Sequence, residues 1–182
     1  MTQHFIVRRT SEADWQSVRA LRLEMLADTP LAYGETVATA LSRQEPEWRQ
    51  RAARGDGPGT TAVAAIDTST GRWIGTMGGF LGGLGSTGPL LVGVYVAPGS
   101  RGRSSGVADA LLDAIEDWAR VHGSTLSLHV HEDNARAIAF YERRGFTFTG
   151  VSAPYELAPS RLELEMQRVL PATPQGATAR PA

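Results

Sequence analysis

Residues 90–98 read LLVGVYVAP, residues 100–106 SRGRSSG, and residues 107–123 VADALLDAIEDWARVHG. The first is a short apolar run closed by proline, with the length and composition of a buried strand. The last repeats its apolar residues at helical spacing and ends on glycine, a common residue just past a helix. STLSLHVHE (124–132) then reads as a strand, and NARAIAFYERRG (134–145) as a second helix closed by glycine. Strand, helix, strand, helix here, after a run of hairpin strands, restricts the chain to a mixed α/β sheet flanked by helices. The joint at 100–106 sets two arginines and two glycines among serines, where a helix starting near Ser104 aims unpaired backbone N–H groups past the strand end. Helix dipole and free donors make such a joint a natural anion site, and a diphosphate suits it.

The rest of the chain fits that sheet. HFIVRR (4–9) alternates as a first strand, and Ser11 with Asp14 forms a capping-box-like start to a helix over 12–28. That helix places Trp15, Val18, Leu21, Leu23, Met25 and Leu26 on roughly one face and stops before Pro30. TPLAYGETVATAL (29–41) reads as a connection, QEPEWRQRAAR (44–54) as a short helix and GDGPG (55–59) as a turn. Strands are expected at 61–67, 71–81 and 90–98, a loop at 82–89, and final strands in FTFTG and RLELEMQRVL. At 182 residues the chain reads as one domain over 1–170, followed by a Pro- and Ala-rich tail, 171–182, read as disordered.

Composition narrows the partners. A 42% hydrophobic content and a net charge of −1 fit neither a disordered chain nor a strongly basic nucleic-acid binder. All eighteen basic residues are arginine, which favours forked recognition of oxyanions or carboxylates. Without cysteine there is no disulfide, thiolate metal site or cysteine nucleophile, and no metal is expected. No apolar stretch resembles a signal peptide or could span a bilayer, so a cytoplasmic protein without a membrane partner is expected.

Two phosphate motifs can be weighed against the joint. A P-loop requires lysine, and the chain has none. Gly83-Leu84-Gly85-Ser86-Thr87-Gly88 matches G-x-G-x-x-G literally, but proline and a strand follow it instead of a helix, so it reads as a flexible hairpin loop.

VYVAPGSRGRSSGVADALL resembles the acetyl-coenzyme A binding segment of the GNAT (Gcn5-related) N-acetyltransferases, whose pattern is [QR]-x-x-G-x-[GA] between a strand and a helix. Arg101 and Gly106 match its ends, and Ser104 replaces its central glycine. VHEDNARAIAFYERRGF resembles the family's next segment at Asn134, Ala137, Tyr141, Gly145 and Phe146. The resemblance implies the GNAT fold: a central, mostly antiparallel sheet with splayed strands flanked by helices. It further implies an N-acetyltransferase that moves acetyl from acetyl-CoA, as co-substrate, to a primary amine of a small molecule or peptide in a ternary complex.

On this reading strand 90–97 is interrupted by a bulge and splays from strand 125–131, and the pantetheine arm adds like an extra strand along Val94, Tyr95 and Val96. The Val94 N–H would polarise the acetyl carbonyl. The pyrophosphate would lie on Arg101, Gly102, Arg103, Ser104, Ser105 and Gly106, with Asn134 on the pantetheine. Tyr141, two turns further along the same helix face, would serve the sulfur. His129 and His131 lie on the strand face opposite Leu126, Leu128 and Val130, and His129 is the candidate base. Tyr33 and Glu35 are candidates for the acceptor, and a homodimer is compatible with the resemblance. Two other readings stand beside this one: a different acyl donor, or a non-catalytic acyl-CoA-binding regulatory domain in which Ser104 marks a decayed site.

Overall fold

The structure, a computed structural model, describes residues 4–83 and 86–171. Seven strands form one sheet in the order β1-β2-β3-β4-β5-β7-β6. They are β1 (Phe5–Arg9), β2 (Thr60–Asp67), β3 (Trp73–Gly83), β4 (Ser86–Val96), β5 (Thr125–His131), β6 (Thr147–Tyr155) and β7 (Ala158–Val169). The only parallel neighbours among the described strands are β4 and β5, separated in sequence by the long helix α4 (Val107–His122). The expected mixed, mostly antiparallel sheet is therefore present.

Helices cover both faces. On one side α4 buries Val107, Leu111, Leu112, Ile115, Trp118 and Ala119 against the strands, beside α5 (Ala135–Arg143). Each fully buried large apolar side chain there contributes about 1.5–3 kcal/mol. On the other side α1 (Trp15–Asp28), α2 (Val37–Ser42) and α3 (Glu45–Ala52) enclose Leu21, Met25, Leu26, Ala40 and Trp48, with Tyr95 of β4 beneath them. Among the described residues no helix is long and apolar enough to cross a membrane.

Three boundaries depart from the sequence reading. Helix α2 lies inside the stretch read as a connection: the Thr36 hydroxyl caps it by accepting from the Thr39 N–H at 3.1 Å, and Ala40 is fully buried. Its six residues are too few for a periodic signal, so capping and tertiary burial decide it. Part of the stretch read as a loop at 82–89 is strand, with Gly83 paired to Ser86. Helix α4 begins at Val107 rather than near Ser104, because Gly106 sits at φ +68°, outside helical geometry. Residues 172–182 of the tail, and Leu84 and Gly85 of the G-x-G-x-x-G match, lie outside the described residues.

Candidate active site

The site starts from a register shift. Thr76 pairs with Tyr95, but Gly78 pairs with Val92, so β4 carries one residue more than β3 at Gly93–Val94. Gly93 adopts φ +61°, which glycine accepts at little cost. The other edge of β4 pairs with β5 only at Leu90↔Ser127 and Leu91↔Leu128. Beyond Leu91 the two strands diverge, and a cleft of about 470 Å³ opens between them. The Ala97 N–H donates to Ile74 O toward β3, so by alternation Val94 and Val96 turn their N–H groups to the gap. The expected bulge and splay are both present.

The carbonyls on that edge are held by side chains. Tyr33 donates its hydroxyl to Val94 O at 2.8 Å, and Arg101 Nε donates to Val96 O at 2.7 Å. The Arg101 guanidinium also pairs with Asp28 and lies over the Tyr95 ring, 5.7 Å from its centroid. Although it lines the cleft, Arg101 is thus turned into the protein and braces the strand end. Tyr95 has its backbone paired to Thr76 and its side chain under α1, hydrogen-bonded to Glu24 at 3.2 Å; burial first and Glu24 second push its phenol up to about 12.

At the joint the roles divide. Gly102 at φ +102° and Gly106 at φ +68° need glycine for their backbone conformation. Ser105 closes the loop, its N–H donating to Gly102 O at 3.3 Å and its hydroxyl to Ser100 O at 2.6 Å, so it shapes the turn. The N–H groups of Gly102, Arg103, Ser104 and Gly106 meet no acceptor among the described residues. Ser104 avoids positive φ and so is unstrained where the family pattern has glycine. Arg103 and Arg136, the latter on α5, line the cleft and form no salt bridge among the described residues. Arg136 carried no signal in the sequence beyond its charge.

Tyr141 and Asn134 both line the cleft from α5. Asn134 Oδ1 accepts from the Ala137 N–H at 3.3 Å as the helix N-cap, which leaves its amide NH₂ for the cleft. Tyr141 is buried at 5% exposure, its ring packed edge-on to Phe140 and Phe146, and its hydroxyl has no protein partner among the described residues. Burial pushes this phenol well up, so it stays protonated and can donate.

His129 lines both this cleft and a second cavity of about 870 Å³ on the α1 side of the sheet. Tyr33, Leu91, Val92 and Gly93 are shared in the same way, so the two spaces meet at the bulge. The His129 Nε2 lies 3.6 Å from the Glu165 carboxylate. His131 is different: it is buried, Nδ1 accepts the Asp133 N–H at 3.1 Å, and its ring lies edge-on to Tyr155.

Tyr33 and Glu35 do not sit side by side as acceptor ligands. Tyr33 is at the junction of the cavities, its backbone carbonyl accepting from the Tyr155 hydroxyl at 2.9 Å. Glu35 lines neither cavity; its carboxylate is taken by Arg22 at 2.7 Å, Arg43 at 2.8 Å and Arg51 at 3.2 Å. Burial alone would raise its pKa, but the hydrogen bonds from Arg43 and Arg22 outweigh burial and hold it at about 2.

A sheet split beside a bulged strand, with a cleft running from a glycine-arginine turn to a buried tyrosine, defines the acyl-CoA N-acyltransferase class of fold. Comparison with known proteins agrees. The sequence pattern of the Acetyltransferase (GNAT) family matches residues 22–146, and the chain belongs to that family. Among solved structures it is similar to a GCN5-related N-acetyltransferase from Kribbella flavida, with 23% identity and TM-score 0.71 over 92% of this chain and 98% of that one. It is also similar to a phosphinothricin acetyltransferase from Sinorhizobium meliloti in complex with AcCoA, with 22% identity, TM-score 0.73, and 98% and 94% covered. YncA from Salmonella typhimurium, with its cofactor acetyl-CoA, matches at 18% identity and TM-score 0.72, covering 96% and 99%. Among curated proteins no relative matches.

Proposed function

We propose that the protein transfers acetyl from acetyl-CoA to a primary amine by direct attack within a ternary complex. The observation that carries this reading is the meeting of two cavities at the β4 bulge, with the Tyr141 hydroxyl on one side and His129 lining both. The residues present fit the donor. The unpaired amides at 102–106 with Arg103 and Arg136 suit its phosphates, and the gap beside Val94 and Val96 suits its pantetheine amides. The Val94 N–H, on the bulge whose next carbonyl, Val94 O, is held by the Tyr33 hydroxyl, polarises the acetyl carbonyl.

In the reaction the amine nitrogen forms a bond to the acetyl carbon, the carbon–sulfur bond breaks, the sulfur gains a proton and the nitrogen loses one. Tyr141 hydrogen-bonds the leaving sulfur. A thiol near 8.5 is a stronger acid than a phenol, and burial raises Tyr141 further, so donating a hydrogen bond without full proton transfer is the natural role. Taking a proton from a free alkylammonium with a histidine costs roughly 5 kcal/mol, from pKa values of about 10.4 and 6.5. His129 is therefore better suited to the nitrogen after attack, when it is more acidic, with Glu165 orienting its ring.

The test is release of free thiol from acetyl-CoA across a panel of amines, alongside thermal stabilisation by acetyl-CoA alone. Stabilisation with thiol release supports the enzyme. Stabilisation without release from any amine leaves a binding domain, and no stabilisation at all removes the donor assignment.

A further inference from the structure

Three arginines line the second cavity on the α1 side: Arg22, Arg51 and Arg54. Among the described residues their only carboxylate is Glu35, which is shared with Arg43. Their donors outnumber their acceptors. Arg22 gives Nε and Nη2 to Glu35, and among the described residues its Nη1 meets only the Met25 sulfur at 3.6 Å, a weak acceptor. Arg51 gives one nitrogen to Glu35, at 3.2 Å, and lies over the Trp48 ring, 5.9 Å from its centroid, while its Nε and Nη2 have no hydrogen-bond partner among the described residues. The Arg54 side chain makes no hydrogen bond or ion pair among the described residues. The Arg22 and Arg51 side chains are only 11% and 24% exposed, so water satisfies them poorly and an unpaired charge there is costly. Burial first, and repulsion from Arg22 second, bring Arg51 down to about 10, the mark of positive charge crowded in a partly dry place.

The same cavity is also lined by His129, at the junction with the donor cleft, and by Glu163 of β7, whose carboxylate makes no hydrogen bond or ion pair among the described residues. An ammonium is at home beside Glu163 and His129, and an oxyanion beside the arginine fork. We infer that the amine acceptor is a small amino-acid-like molecule, its amine directed to the bulge and its carboxylate, or an equivalent oxyanion, held by Arg51, Arg54 and Arg22. This rests on the acetyltransferase reading and adds the acceptor's charge to it. The transfer is unchanged: nitrogen–carbon bond made, carbon–sulfur bond broken, with the oxyanion taking no part beyond anchoring.

The experiment compares thiol release with the L-amino acids, their carboxamides, the matching decarboxylated amines and 2-aminoethylphosphonate. At least one acid should exceed its carboxamide and its decarboxylated amine by tenfold or more in kcat/KM, and the phosphonate shows whether the fork accepts other oxyanions. Arg54→Gln, at an exposed position, and Arg51→Gln should each raise KM for that acid severalfold and shrink its advantage over the carboxamide. Arg54→Gln keeps the test valid if loss of Arg51 disturbs the Glu35 cluster. Carboxamides or simple amines turned over as well as the acids, or an acid preference untouched by both variants, overturns the inference while the acetyltransferase stands. Thiol release from no amine at all overturns both.

Discussion

Tyr141 is core by its ring and, in the proposed mechanism, the hydrogen-bond donor to the leaving sulfur by its hydroxyl. Its ring packs on Phe140 and Phe146 while the hydroxyl end lines the cleft, so burial positions the group and keeps it protonated. Tyr141→Phe preserves the packing and should lower kcat by about 10²-fold while changing acetyl-CoA affinity far less, measured by steady-state kinetics and equilibrium binding. An unchanged kcat removes Tyr141 from the chemistry. Glu35 illustrates the opposite use of a charged residue. Its pKa falls from the ordinary 4.5 to about 2. A depressed carboxyl stabilises the fold above its unfolded value, and that contribution is lost as pH drops from about 4.5 toward 2. The melting temperature should therefore fall through this window. Glu35→Gln should be less stable at neutral pH and show a flatter acid limb.

At the scale of elements, the bulge in β4 and the turn before α4 define the cleft. Gly93 carries the bulge at φ +61°, and a Cβ there would meet nothing within 4 Å, so Gly93→Ala isolates backbone strain from crowding. It should cost about 1 kcal/mol or more in chemical denaturation and weaken acetyl-CoA binding as the strand edge shifts. Wild-type affinity in that variant would show that the bulge conformation is not what receives the donor. The strand, the turn and both glycine-closed helices were legible because each has a local signature: an apolar run, a glycine pair, helical spacing. Helix α2 was not, since six residues of mostly small side chains leave no period to read. The start of α4 was misplaced by three residues because Ser104 and Ser105 look like caps, while only the three-dimensional turn shows Gly106 in the left-handed region.

Across the whole molecule, the site depends on parts far apart in sequence. The Tyr155 hydroxyl at the end of β6 fixes Tyr33 O, and the Tyr33 hydroxyl fixes Val94 O at the bulge, so the far edge of the sheet helps to set the gap. Beneath α4, buried Glu116 gathers Arg120, Arg144 and Arg168, tying the helix to the turn after α5 and to β7. A ligand that spans the cleft joins these parts. Acetyl-CoA at a hundred times its dissociation constant should add about 2.7 kcal/mol, which for a chain of this size corresponds to a rise of roughly 5–10 °C in melting temperature. No rise at saturating concentration would mean that the cleft does not take the coenzyme.

The sequence alone determined the order of most strands and helices, the anion-friendly turn, and the spacing that sets Asn134 and Tyr141 on one helix face, because these follow from local periodicity and glycine chemistry. The tertiary structure decided which candidate groups are free. Arg101, a phosphate candidate in the sequence, is paired with Asp28 and Val96 O, and Glu35, an acceptor candidate, is held by three arginines. The tertiary structure also brought Arg22, Arg51, Arg54 and Glu163 to one cavity from distant segments of the chain. Charge pairing acts through space over a few ångströms, and distance along a chain says nothing about it until the sheet has closed.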